Sequence, residues 1–167
     1  MSNKVRVGEK APDFILMSHS GKTVRLLDLV DKKSIVLYFY PKDNTAGCTR
    51  EACAFRNNYQ TFKNIGAEVV GISSDDVETH RTFVSKYNLP FILLSDEKTK
   101  VRKLYGASSR IGLIPARITY VIDRKGIVRH IFKSQLKVKK HVDEAIDVLK
   151  GIQENLGIVS NVDGNVE

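Results

Sequence analysis

Cys48 and Cys53 are the two thiols of the chain, five positions apart in the segment Cys48-Thr49-Arg50-Glu51-Ala52-Cys53. A cysteine reacts through its thiolate, and a helix N-terminus favours that anion because its first N–H groups lack acceptors and the helix dipole is positive there. Pro41 ends an apolar run and Asn44 or Thr45 can cap a following helix, which places Cys48 in or beside the first turn. Such a pair could supply one nucleophilic thiol and a second that closes a disulfide on it. On spacing and location alone a competing reading stays open: both are small buried hydrophobes, as most free cysteines are.

Helical geometry makes the pairing conditional. At about 100° per residue, Cys48 lies about 40° from Ala52 and shares a stripe with Phe55, Tyr59 and Phe62, whereas Cys53 lies roughly 140° around the axis. Residues five apart on an intact helix have Cα atoms roughly 8.6 Å apart, beyond the ~7 Å reach of a disulfide. A bond between these thiols therefore requires the helix to unwind locally.

Other chemistries have less support. Two cysteines make a poor zinc site, and none of His19, His80, His130 and His141 lies at ligand spacing from them, so neither a metal nor another cofactor is expected. No histidine is paired in spacing with Cys48, which argues against a Cys-His hydrolase. Glu51 is read as favouring the helix N-terminus and is not assigned to catalysis. Taken alone, Arg117 is as well a surface arginine at a strand end as a site group, and Thr45 a plain helix cap.

The elements that must position these residues alternate. Ile35–Tyr40 (IVLYFY) is a continuous β-rich apolar run, as expected of a strand buried on both faces, and Glu68–Ser73, Phe91–Leu94 and Ile118–Ile122 read likewise. Between them lie three helical patterns: the Cys48 stripe through Phe62; Val77, Phe83, Val84 and Tyr87; and a short one with Val101, Leu104 and Tyr105. Asp123–Gly126 reads as the turn joining Ile118–Ile122 to Ile127–Phe132. A last helix spans about Val138–Leu156, with Gly157 at its end and residues 158–167 as a frayed tail. Ala11–Met17 and Lys22–Arg25 flank a turn at Gly21 and form an N-terminal hairpin. The fold class is α/β: a central, mostly parallel sheet ending in an antiparallel hairpin, with flanking helices in three layers. Cys48 then falls just beyond a strand's carboxyl end, where open α/β sheets bind ligands.

The chain of 167 residues fits one domain, 1–167, with one core. A charge of +8 is spread along the sequence, with Lys137, Lys139, Lys140 and His141 crowding locally; without an Arg-rich recognition helix it reads as a solvated surface rather than a nucleic-acid site. No apolar run reaches the roughly 18 residues of a bilayer span, and residues 1–10 lack an apolar leader segment. The expected setting is the cytoplasm, or a plastid if a transit peptide has been removed, and two cysteines in a reducing compartment point to catalysis rather than a permanent bridge.

The spacing Pro41-x-x-x-Thr45-x-x-Cys48 resembles the active-site signature of the peroxiredoxins, and GCTREACAFR resembles their bacterioferritin comigratory protein branch, especially its Q-type members. The resemblance covers nearly the whole chain, through GEKAPDF, AEVVGISSDD, LPFILLSDE and RITYVIDRKG in that order. It implies a thioredoxin-like fold, a peroxidatic Cys48 and a resolving Cys53 in the same chain. It further implies that Thr45 and Arg117 complete the site, with Pro41 shielding it; Arg117 is picked out by its place in the Pro115–Asp123 block. The implied substrates are hydrogen peroxide and organic hydroperoxides, and the implied reductant is thioredoxin or glutaredoxin. A monomer suffices, since resolution occurs within one chain.

One position departs from the pattern: Ala46 stands where this branch usually has proline, which leaves the loop before Cys48 with less built-in rigidity. Two further functional classes remain to be weighed. A thioredoxin-like protein disulfide oxidoreductase would normally carry C-x-x-C, absent here. A basic DNA-protecting or scaffold protein would bind DNA in a salt-sensitive way without turning over peroxide.

Overall fold

The structure is a computed structural model that describes residues 5–108, 110–111 and 114–163, with 110–111 and 156–163 described by backbone alone. Its organising element is the strand β3 (Ser34–Phe39), preceded by β1 (Ile15–Ser18), β2 (Thr23–Arg25) and the short helix α1 (Leu26–Val30). Every residue of β3 is buried, and its alternate side chains feed two cores, one on each face of the sheet, rather than the one core expected. Ile35, Leu37 and Phe39 join Phe14, Leu26, Val30, Val101 and Tyr105 on one face. Val36, Tyr38 and the following Tyr40 join Cys48, Phe55, Phe62, Phe83, Val142 and Leu149 on the other.

After β3 come α2 (Ala46–Asn57), α3 (Tyr59–Asn64), β4 (Ala67–Ser73), α4 (Val77–Tyr87), β5 (Ile92–Ser95) and α5 (Lys100–Leu104). The chain ends with the two-residue strands β6 (Arg110–Ile111) and β7 (Ile114–Pro115), then β8 (Ile118–Ile122), β9 (Val128–Lys133) and α6 (Val138–Asp163). The main sheet has seven strands in the order β2-β1-β5-β4-β3-β8-β9, and β6 pairs separately with β7. Helices α2, α3, α4 and α6 cover one face and α1 and α5 the other, so the expected three layers and N-terminal hairpin are present. No helix among the described residues is long and apolar enough to cross a membrane.

The parallel part is narrower than the sequence suggests. Strands β3, β4 and β5 are parallel, but β8 runs antiparallel to β3, with Phe39 opposite Ile118, and β1 runs antiparallel to β5. A run buried on both faces looks the same in either direction, so composition cannot report a strand's orientation. The antiparallel β3–β8 register brings the start of β8, just after Arg117, beside the end of β3, just before the Cys48 loop.

Three boundaries also differ. The single stripe expected from Cys48 to Phe62 is two helices, broken at Asn58, whose side-chain amide donates to the Ala54 carbonyl at 2.8 Å and competes with the backbone ladder. Phe62 keeps its packing on Phe55 across the break, with ring centroids 5.8 Å apart. Helix α6 passes through Gly157 to Asp163 rather than stopping. A helix-interior glycine costs only about 1 kcal/mol, which the rest of a long helix absorbs; of the expected tail, 164–167 lie outside the described residues. Helix α1 and the β6–β7 pair are too short to impose a period that a sequence reading can detect.

Gly71 in β4 serves the site from beneath. A Cβ there would lie 2.8 Å from Leu93 Cδ2 and 2.9 Å from Tyr38 Cζ, so only glycine lets the Tyr38 ring lie against the sheet. Tyr38 then stacks on Phe55 of α2 at 4.5 Å between centroids. Truncating a buried aromatic such as Phe55 to alanine costs roughly 3–5 kcal/mol and would loosen the helix that bears both cysteines.

Candidate active site

The turn from β3 into α2 is built by residue choice. Pro41 follows the strand, Asn44 adopts φ 64°, a left-handed conformation that asparagine tolerates, and Thr45 occupies the N-cap with extended backbone. The helical ladder opens with Thr49 N–H donating to Thr45 C=O at 2.9 Å. Ala46, Gly47 and Cys48 therefore present N–H groups that precede the ladder, and Cys48 is the third residue of the helix. The expected first-turn position of Cys48 is the observed one.

Cys48 is buried and Cys53 half-buried; both are free thiols on the same formed helix. Arg117, just before β8, is also buried and donates through Nη2 to Cys48 Sγ at 3.5 Å. Its Nη1 donates to Glu51 Oε1 at 2.8 Å, and its Nε to the Gln135 backbone carbonyl at 3.2 Å. A guanidinium can hold these three acceptors in one plane, which an ammonium cannot do. Gly47 admits it: a Cβ on residue 47 would stand 3.0 Å from Nη2.

Thr45 sits at the cap, but its hydroxyl donates to the Lys42 carbonyl at 2.8 Å and caps no helical N–H. With its proton engaged there, the oxygen offers lone pairs to whatever occupies the space before the helix. Pro41 is half-buried at the end of β3.

Glu51 does more than favour the helix N-terminus. Its carboxylate is fully buried and paired with Arg117. Burial raises its pKa from 4.5 to about 7 against the opposing pull of Arg117. For Arg117, burial alone would lower the pKa, yet the negative charges of Glu51 and Cys48 prevail and raise it. Glu51 Oε2 has no hydrogen-bond partner among the described residues and lies 3.8 Å from Nδ1 of His141. His141 belongs to no lysine cluster: it turns inward, with Nδ1 2.7 Å from Thr119 Oγ1 and Nε2 2.7 Å from the Ser134 carbonyl. Burial pulls its pKa down to about 4, so it is neutral and donates through Nε2. A signal for Glu51 exists in the sequence. Cys48, Glu51, Ala52 and Phe55 follow an i, i+3, i+4, i+7 pattern, and a carboxylate inside that apolar stripe is anomalous.

The loop before Cys48 is also tied down from below. Asp43 accepts from the Tyr40 hydroxyl and lies 2.6 Å from His80 Nδ1, while its backbone N–H donates to Asp75 at 2.9 Å. His80 Nε2 reaches the Leu94 carbonyl at 3.0 Å, so both ring nitrogens are engaged. This cluster ties Asp43, and with it the Pro41–Thr45 segment, to the loop after β4, to α4 and through His80 to β5.

The assembled group is thus a buried sulfur at a helix N-terminus, a planar cation shared between that sulfur and a carboxylate, and a hydroxyl oxygen at the cap. It can stabilise an anionic sulfur and negative charge developing beside it. Comparison with known proteins agrees. The AhpC/TSA family matches residues 7–131. A chloroplastic peroxiredoxin Q of Triticum aestivum is 48% identical over 150 residues, covering 89% of this chain and 69% of the relative. Its Arabidopsis thaliana counterpart is 51% identical over 148 residues, covering 88% and 68%. Among solved structures, peroxidoxin BcpB of Mycobacterium tuberculosis superposes with TM-score 0.83 at 33% identity, covering 89% of this chain and 98% of that one. PrxQ of Xylella fastidiosa does so with TM-score 0.82 at 28% identity, with the same coverage.

Proposed function

The chain belongs to the AhpC/TSA family, in its peroxiredoxin Q branch, and from this premise we propose that Cys48 carries its thiol peroxidase activity and that Cys53 resolves it. The observation that carries the assignment is the 3.5 Å contact between Arg117 Nη2 and Cys48 Sγ at the start of α2. The Cys48 thiolate attacks the outer oxygen of a hydroperoxide, the S–O bond forms and the O–O bond breaks. The leaving oxygen, its charge met by the guanidinium, is protonated to an alcohol or water. Thr45 accepts a hydrogen bond from the peroxide, the pre-ladder N–H groups of α2 hold the attacked oxygen, and Pro41 shields the sulfur.

Cys48 is left as a sulfenic acid, which a thiol converts to a disulfide or further peroxide converts to an irreversible sulfinic acid. Cys53 attacks the sulfenic sulfur and expels hydroxide, giving the Cys48–Cys53 disulfide. Because α2 is continuous from Ala46 to Asn57, this step requires its first turns to open. A thioredoxin-type dithiol then reduces the disulfide by exchange, itself becoming oxidised. Hydrogen peroxide and organic hydroperoxides are the substrates, one chain holds the whole cycle, and the working form is a monomer. The plant relatives are named chloroplastic, which favours the plastid alternative over the cytoplasmic expectation.

The test is peroxide consumption by the reduced protein. Cys48→Ser is expected to abolish it, whereas Cys53→Ser consumes one equivalent and leaves a sulfenic acid that mass spectrometry of the trapped adduct identifies. Wild-type turnover by Cys48→Ser would sink the assignment.

A further inference from the structure

We propose that Gln135 is a positioning residue for peroxide reduction: its side-chain amide stands in for a missing rung of the β8–β9 ladder and thereby frees its backbone carbonyl to orient the Arg117 guanidinium. The proposal rests on the reading that Arg117 serves Cys48.

The β8–β9 pairing includes Ile118 opposite Lys133, and the next contact is a long one, Ser134 N–H to Arg117 C=O at 3.3 Å. Beyond it the chain must turn away toward α6, which begins at Val138. A regular continuation would satisfy the Arg117 N–H and the Pro115 C=O with a backbone peptide. Here one side chain does both: Gln135 Oε1 accepts from the Arg117 N–H at 3.0 Å, and Gln135 Nε2 donates to the Pro115 carbonyl at 3.0 Å. A carboxamide is the side-chain group with the donor and acceptor geometry of a peptide, so it can replace a rung where a backbone cannot follow.

The consequence reaches the sulfur. Because the amide of the side chain occupies the strand, the main-chain carbonyl of the same residue points elsewhere, to Arg117 Nε at 3.2 Å. That contact and the Glu51 contact to Nη1 fix two corners of a rigid plane, and the third corner, Nη2, is thereby aimed at Cys48 Sγ. Gln135 thus holds both the backbone and the guanidinium of Arg117 without touching the reacting atoms. Without its amide, the 134–137 segment is tied to residues 115–117 among the contacts described only by the long Ser134 N–H contact to the Arg117 carbonyl and by the Arg117 Nε contact itself, so the carbonyl that orients Nε is less firmly held.

The substitution to make is Gln135→Met, which matches length and removes both hydrogen bonds. The reduced protein is mixed with hydrogen peroxide in a single-turnover stopped-flow experiment, and the second-order rate is expected to fall about tenfold. The pH at which Cys48 alkylates at half its maximal rate is expected to move upward. Reduction of the Cys48–Cys53 disulfide by thioredoxin, which does not use Arg117 as a peroxide clamp, should stay within about twofold of wild type. Gln135→Glu keeps the acceptor for the Arg117 N–H and loses the donor to Pro115, so its loss should be smaller, about threefold; it decides the question if Gln135→Met fails to fold. A wild-type peroxide rate in the folded variant, or equal losses in the peroxide and disulfide steps, would overturn the proposal. Failure of the underlying assignment would show differently, as peroxide turnover surviving in Cys48→Ser.

Discussion

Arg117 and Glu51 form a fully buried ion pair, Nη1 to Oε1 at 2.8 Å, whose free edge is the guanidinium nitrogen that faces Cys48. The carboxylate therefore does two things at once. It holds the guanidinium in plane, and it competes with the thiolate for the same positive charge.

Replacing Arg117 by lysine keeps the charge but not the three-cornered geometry. An ammonium on a flexible stem cannot reach the sulfur, Glu51 and the Gln135 carbonyl together. Loss of one preorganised donor at a developing charge typically costs about 10²-fold. Arg117→Lys is therefore expected to slow peroxide reduction by roughly that factor in stopped-flow assays at pH 7.5. A lysine variant within threefold of wild type would show that charge alone suffices.

Gly47 gives a finer test of the same geometry. The Cβ of alanine at 47 would stand 3.0 Å from Arg117 Nη2, so the guanidinium must shift by a few tenths of an ångström. Alanine is otherwise well suited to a helix. Gly47→Ala should thus leave the melting temperature unchanged or slightly raised while lowering the peroxide rate about three- to tenfold. A fall in melting temperature parallel to the fall in rate would instead indicate general damage.

Glu51 and His141 impose opposing pH dependences on stability. Glu51 has a folded pKa of about 7 against an ordinary 4.5, so the folded state holds a proton the unfolded chain has released. Stability falls as pH rises from about 4.5 through 7, by up to about 3 kcal/mol. His141 is depressed from 6.5 to about 4, so the unfolded chain takes up a proton first as pH falls. Its contribution is present above 6.5 and is lost as pH drops toward 4. The two slopes oppose each other between pH 4.5 and 6.5, leaving Glu51 to act alone from there to about 7. In Glu51→Gln the falling limb should vanish and the unfolding free energy should rise from pH 5 to 7, as measured by urea titration. A falling limb that persists in the variant would assign it to another group.

How much of this was legible beforehand follows from range in the chain. Cys48, Thr45 and Pro41 lie within one short segment whose proline, cap and first turn are local features, and the strands around them carry their own apolar runs. Arg117 was reached through its motif rather than through contacts. Glu51 is within reach of the sequence, one helical turn from Cys48 in the buried stripe, but an acidic residue near a helix start is equally explained by the helix dipole. Gln135, His141 and His80 were not, because nothing local says that residue 135 meets 117, that 141 meets 51, or that 80 meets 43; those pairings exist only once the sheet order is set. The antiparallel direction of β8 belongs to the same class of fact, and it is what brings Arg117 to the sulfur.

The same helix that presents Cys48 also withholds Cys53. Helix α2 runs unbroken through both residues, so the resolving step proposed for Cys53 competes with helix stability, and a change that strengthens the first turns should slow it. Thr49 offers such a change: it lies between the two cysteines, its hydroxyl is buried with no hydrogen-bond partner among the described residues, and threonine is a weaker helix former than alanine by up to about 0.7 kcal/mol. Thr49→Ala should therefore leave the reaction of Cys48 with peroxide within about twofold of wild type while slowing disulfide formation about threefold. The sulfenic acid then persists longer, and at high peroxide a larger share becomes sulfinic acid, visible as a 32 Da gain on the Cys48 peptide. The reverse change, Thr49→Gly, weakens the helix and should protect against that oxidation. If neither variant alters the ratio of disulfide to sulfinic acid, unwinding of α2 does not limit the resolving step.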